Sequence, residues 1–189
     1  MSQLKHRTHP GSSYFITTKC AENRSIFQIP DNAKILVDTL FQYRNQSAYQ
    51  LHEFVVMPNH LHLLLTPGES ISLEKCVQLI KGASSHEIHK QRHHKLEIWQ
   101  KSFHDWTIRD ESDWNEKAEY IRMNPVRAKL VENPGAWLFS SANKTFLIDP
   151  MPATFKRLSS AAKAAPTTSA MLGLKPQPPK EHRTKAHSA

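Results

Sequence analysis

Val55-Val56-Met57-Pro58-Asn59-His60-Leu61-His62-Leu63-Leu64-Leu65 decides how this chain folds. Residues 49–57 are rich in β-branched and aromatic types and read as a strand. Pro58-Asn59 breaks it. His60 to Thr66 then reads as a second strand, so Met57–Asn59 is a tight connection between antiparallel neighbours. Successive side chains on a strand point to opposite faces. Leu61, Leu63 and Leu65 therefore share one face, suited to a core. His60 and His62 share the other. Two imidazoles side by side can chelate a divalent ion. The same pair also suits an exposed strand that binds nothing.

Working outward, Tyr14-Phe15-Ile16-Thr17-Thr18 is a further strand. Pro30-Asp31-Asn32 offers a helix start, followed by Ile35, Leu36, Leu40 and Phe41 at helical spacing. Ser70 or Ser72 can cap a second helix with the stripe Leu73, Cys76, Val77 and Ile80. Residues 103–109 read as a short fourth strand. Ser112 is expected to cap a third helix that presents Trp114, Ala118 and Ile121 on one side. Asn124-Pro125 is expected to interrupt it, with Pro125 able to start another short helix. The order β-α-β-β-α-β-α is the split βαβ pattern plus one helix. The fold class is α+β. A ferredoxin-like (RRM-like) four-stranded antiparallel sheet carries helices on one face, with an added C-terminal helix. The other face is expected to be free, a surface that single-stranded nucleic acid often uses.

The added helix holds Tyr120 and Asn124, four residues apart and so on one side, about 6 Å from each other. A tyrosine hydroxyl can serve as a covalent nucleophile. An asparagine oxygen can bind or orient a metal. A half-buried tyrosine and a capping asparagine before proline would give the same pair. Taken with His60 and His62, the set suits phosphoryl transfer: a metal polarises a phosphate oxygen while the tyrosine attacks phosphorus. A phosphotyrosine conserves bond energy, so a DNA 3′-hydroxyl can reverse the step without a nucleotide cofactor.

Residues 55–65 resemble the histidine strand of single-tyrosine HUH transposases. Tyr120-Ile121-Arg122-Met123-Asn124-Pro125-Val126-Arg127-Ala128-Lys129-Leu130-Val131 resembles their nucleophile helix, particularly in the REP-associated tyrosine transposase branch. Residues 99–111 and Trp137-Leu138-Phe139-Ser140-Ser141 are similar to that branch as well. The likeness runs from about Tyr14 to Ala142. It implies Tyr120 as nucleophile and His60, His62 and Asn124 as ligands of Mg²⁺ or Mn²⁺. It implies a DNA endonuclease and strand transferase, active in transposition and recombination. Its substrate would be single-stranded DNA beside a short hairpin, as in repetitive extragenic palindromes (REP), and its intermediate a 5′-phosphotyrosine. The alternative is a domesticated hairpin-DNA-binding protein that does not cut. A monomer acting in cis and a homodimer acting in trans are both compatible. The implied setting is the bacterial cytoplasm, with the nucleoid. Two positions depart from the branch: Lys129 stands for the usual glycine, and Trp106 stands where arginine is expected.

Several weaker DNA contacts are expected. Arg122 and Arg127 flank the tyrosine as phosphate clamps. Lys81, Lys90, Arg92 and Lys95 form a basic, His-rich segment with His86, His89, His93 and His94. Trp106 can stack on unpaired bases. His104 and Asp105 are accessory candidates near the helix.

Composition limits the alternatives. The chain has 189 residues, 39% hydrophobic, with a net charge of +8. Only two cysteines occur, too few for a disulfide scaffold or a four-thiolate zinc site. No run approaches the roughly 20 apolar residues of a membrane span, and the N-terminus lacks a secretory h-region. Of the 25 Lys+Arg, seven lie after residue 149, where there is one acid. Residues 1–149 are therefore expected to form the transposase domain. Residues 150–189 would be a basic Pro/Ala-rich tail, disordered from about 160.

Overall fold

The computed structural model describes residues 8–92 and 96–155. His93, His94, Lys95 and the tail from residue 156 lie outside the described residues. The order is β1 (Tyr14–Lys19), α1 (Pro30–Asn45), β2 (Tyr49–Met57), β3 (His60–Pro67), α2 (Leu73–Arg92), β4 (His104–Thr107) and α3 (Glu111–Arg127). The four strands form one antiparallel sheet in the order β2-β3-β1-β4. This is the ferredoxin-like arrangement expected.

One face of the sheet carries Ile16, Phe54, Val56, Leu61, Leu63 and Leu65. They pack against Leu36 and Leu40 of α1 and Leu73, Cys76 and Ile80 of α2. The leucines of β3 are 0–1% exposed, and full burial of each contributes roughly 2 kcal/mol. Thus the alternation in β3 sets which face meets the helices.

The opposite face is not left free. Val55, Met57 and Leu64 pack there against Trp114, Ala118 and Ile121 of α3, together with Phe155. Most of β2 and β3 is therefore buried from both sides. The helix was legible, but its placement was not. Its apolar stripe could have met either side of the sheet. Among the described residues, the part of this face over β1 and β4 remains accessible, where His104 and Trp106 are exposed.

The start of α3 also differs from expectation. Asp110, rather than Ser112, is the N-cap and accepts from the Asp113 amide at 2.8 Å. At the other end the helix runs through Pro125 to Arg127. Proline removes one backbone donor there, but it sits in the last turn, where little helix remains to be broken. A closing motif satisfies the end: Leu130 N–H donates to Pro125 O at 2.9 Å and Lys129 N–H to Val126 O at 2.9 Å. This closure requires φ of +57° at Lys129, a left-handed conformation favouring glycine. Lys129→Gly should stabilise the protein by about 0.5–1 kcal/mol in urea unfolding, the relief of that strain less the extra freedom of the unfolded chain. A loss of stability would contradict this account.

Candidate functional site

The strand register builds the site. In one row across the sheet stand Val55, His62, Thr17 and His104. The next row holds Met57, His60 and Lys19, and the row on the other side holds Leu64, Phe15 and Trp106. All of these belong to the face that α3 partly covers.

The helix then adds its own groups. The Tyr120 ring lies 5.2 Å from the His62 ring and 5.7 Å from Phe15, edge-on to both. The His60 and His62 ring centres are 4.8 Å apart. One turn on, Asn124 is buried and hydrogen-bonds to His60. Tyr120 itself is 38% exposed. His60, His62, Tyr120 and Asn124 thus converge on one spot, although more than fifty residues separate the pairs.

Electrostatics favour neutral histidines. Burial pushes His62 down to about 3, and the neighbouring His60 adds to the shift. Burial also lowers His60, opposed by the Asn124 hydrogen bond. Neutral imidazoles keep the lone pair that a metal needs. Hydrogen bonds orient both rings. Asn59 Nδ2 donates to Asn23 Oδ1 at 2.8 Å, which turns Asn59 Oδ1 toward His60 Nδ1 at 2.6 Å. An amide oxygen only accepts, so this contact fits a His60 proton on Nδ1. His62 Nδ1 meets Thr17 Oγ1 at 2.8 Å. Two imidazoles held through Nδ1, with an amide beside them, fit a divalent cation. Among the described residues no group of three or more His, Cys, Asp and Glu side chains could hold a metal. Any cation here would depend on the asparagine.

Positive charge surrounds the spot. Arg127 lies 5.2 Å over the Tyr120 ring, and Lys19 is opposite His60 in the sheet. Arg122 faces elsewhere in part. It pairs with Glu53, a carboxylate only 3% exposed that also accepts from Ser141 Oγ at 2.5 Å. That pair ties α3 to β2.

The basic segment of α2 is not brought to the site. Its helix packs on the other face of the sheet. Lys81 donates to the Gln100 and Lys101 carbonyls, Lys90 lies 4.0 Å from Glu87, and Arg92 pairs with Asp31 at 3.1 Å. His104 stands in register with Thr17, hence in the His62 row. Asp105 is opposite Ile16, a residue of the α1–α2 core. Sequence reasoning missed Thr17, Asn59 and Lys19, and also Lys117, whose ammonium lies 5.8 Å from the Phe15 ring centre. The strand alternation could have placed Thr17 beside Phe15, but its pairing with His62 is a long-range fact.

A ferredoxin-like sheet with paired histidines on a central strand, beneath a tyrosine on an added helix, defines a recognisable class. The family model described as "Transposase IS200 like" matches residues 11–124. That is more than half of the chain, and the protein belongs to the IS200-like transposase family. A REP-associated tyrosine transposase of Escherichia coli K12 is 24% identical over 147 residues, covering 76% of this chain and 84% of its own. A Haemophilus influenzae relative is 24% identical over 154 residues, covering 76% and 87%. A solved REP-associated tyrosine transposase bound to a REP hairpin superposes with a TM-score of 0.65 at 23% identity, over 80% of this chain and 92% of that one. That likeness concerns the fold. No described helix is long and apolar enough to cross a membrane.

Proposed function

We propose that the protein nicks and rejoins single-stranded DNA beside short REP-type hairpins. The single observation that carries this reading is the convergence of His60, His62, Asn124 and Tyr120 on one face of the sheet. Tyr120 Oη gives up its proton to solvent, attacks the scissile phosphorus and forms an O–P bond. The bond from phosphorus to the 3′-oxygen breaks, and that oxygen takes up a proton to leave as a 3′-hydroxyl. A 3′-hydroxyl of DNA then attacks the phosphotyrosine, and the Tyr120 oxygen departs and regains its proton. His60, His62 and Asn124 would hold a divalent cation, which when bound neutralises charge on the phosphate oxygens. The family likeness points to Mg²⁺ or Mn²⁺. The nitrogen-rich donor set also suits softer ions. Arg127 and Lys19 supply fixed positive charge beside the phosphate. Residues 1–149 would carry this activity, as a monomer or a homodimer.

The test is a suicide-substrate assay with labelled hairpin oligonucleotides and Mn²⁺ or Mg²⁺. A denaturation-resistant protein–DNA adduct that needs both metal and Tyr120 is expected. Hairpin binding with no adduct would instead indicate a binding protein that does not cut.

The Thr17 contact gives a second prediction. Thr17→Val removes the partner that holds the His62 ring, while keeping the side-chain shape. Mn²⁺ affinity, measured by calorimetry, should fall about 10-fold or more. Unchanged affinity would show that the hydroxyl does not orient the ligand.

A further inference from the structure

Beside the histidine row is a small recess of about 190 Å³, lined by Phe15, Thr17, His104, Asp105, Trp106 and Lys117. A water takes ~30 Å³ of liquid volume, so the recess suits one planar ring and no duplex. Trp106 is 48% exposed on the edge strand β4, whereas Trp99 and Trp114 are each 5% exposed. It is nevertheless held in place. Its indole N–H donates to the Asp113 carboxylate, a group 8% exposed that also takes two bonds from the Arg109 guanidinium, at 2.7 and 2.9 Å. A tryptophan fixed by its edge while its ring stays open to solvent is a ready stacking platform.

The charge pattern is specific as well. The Lys117 ammonium lies 5.8 Å from the Phe15 ring centre and 5.3 Å from that of Trp106. The Arg109 guanidinium lies 5.4 Å from Trp106. Aromatic walls with cations beside them complement a base and its phosphate together. Position then selects which nucleotide. Phe15 is opposite Trp106 in the sheet and packs edge-on against Tyr120. Thr17 is opposite His104 and bonds His62. The recess therefore adjoins both halves of the candidate site.

We propose that this recess is a nucleobase subsite, in which an unpaired base next to the reacting phosphate stacks on Trp106 while Lys117 contacts its backbone. The inference rests on the single-stranded DNA reading given above. It adds a contact to the substrate's unpaired arm that is separate from recognition of the hairpin stem.

The test compares labelled hairpin oligonucleotides with and without an unpaired arm, by fluorescence anisotropy. A second series places one abasic site at each arm position in turn. Wild-type protein should bind the armed hairpin more tightly, and one abasic position should remove most of that gain. Trp106→Ala should lose about 10-fold on the armed hairpin, the scale of one base–aromatic stack. It should lose nothing on the stem alone and should no longer sense the abasic position. Trp106→Phe should recover much of the affinity. Because Trp106 is exposed, thermal melting is expected to show both variants folded. Equal weakening on armed and unarmed hairpins, or no weakening on either, would overturn the subsite while leaving the DNA reading intact. Wild-type protein that binds neither oligonucleotide would overturn both.

Discussion

Tyr120→Phe is expected to abolish the covalent adduct and lower nicking by at least about 10³-fold, since no other group replaces a lost nucleophile. Hairpin affinity should stay within about twofold, well under the 1.4 kcal/mol that makes a factor of ten. The substitution deletes one oxygen and leaves the ring. Its edge-on contacts to His62 and Phe15, and its place beneath Arg127, depend on the ring alone. Folding should therefore be unchanged, and loss of chemistry can be separated from loss of structure. Gel analysis of the adduct and anisotropy on the same hairpin make the comparison. A variant that still forms the adduct would remove Tyr120 from the mechanism. A variant that loses binding in parallel would make the hydroxyl a DNA contact instead.

The second large effect concerns Arg122. The sequence suggested a phosphate clamp, whereas the structure shows an ion pair with Glu53. The two partners are not equivalent. Glu53 is buried, while the Arg122 side chain is 46% exposed. Arg122→Ala would leave a buried carboxylate whose one remaining hydrogen-bond partner among the described residues is the Ser141 hydroxyl. Breaking a buried pair costs about 3–5 kcal/mol. The exposed end of Arg122 reduces that to about 2–3 kcal/mol, measured by urea unfolding. Glu53→Gln in the Arg122→Ala background should recover part of the loss, because an amide needs no counter-charge. Adduct formation should fall along with stability, since α3 carries Tyr120 and the pair fixes that helix to β2. A clamp would behave differently. Stability would hold, DNA binding would weaken, and the salt slope would drop by about one.

These two residues, two positions apart on one helix, show how far local reasoning reaches. Tyr120 and Asn124 were visible as a pair from their spacing, because helical periodicity is a short-range property. Arg122 could not be assigned in that way. Its partner is on β2, sixty-nine residues away, and no local pattern encodes such a contact. The basic segment of α2 gave the opposite outcome. Its charges were plain in the sequence, but the helix lies across the sheet from the histidines. Their mutual position depends on which face each helix covers.

The boundary elements make the same point in smaller ways. Asp110 caps α3 in place of Ser112: its carboxylate accepts from the Asp113 amide, and the Asp113 side chain in turn takes the Arg109 guanidinium. Pro125 is tolerated inside α3 because the chain closes directly after it. Lys129, a departure from the usual glycine, occupies a left-handed position. There the sequence held the anomaly and the backbone supplied its cause.

By itself the sequence determined the strand and helix order, the split βαβ topology, the core face of β3 and the four candidate site residues. Those follow from periods of two and 3.6 and from the break at Pro58-Asn59, all of which are local. Tertiary structure alone decided that α3 covers the histidine face and that Thr17 and Asn59 hold the two rings. It also decided that Phe15, Trp106 and Lys117 enclose a recess beside the tyrosine. Each of these depends on strand register and on the side of the sheet a helix takes. Both are settled by the packing of residues distant in sequence.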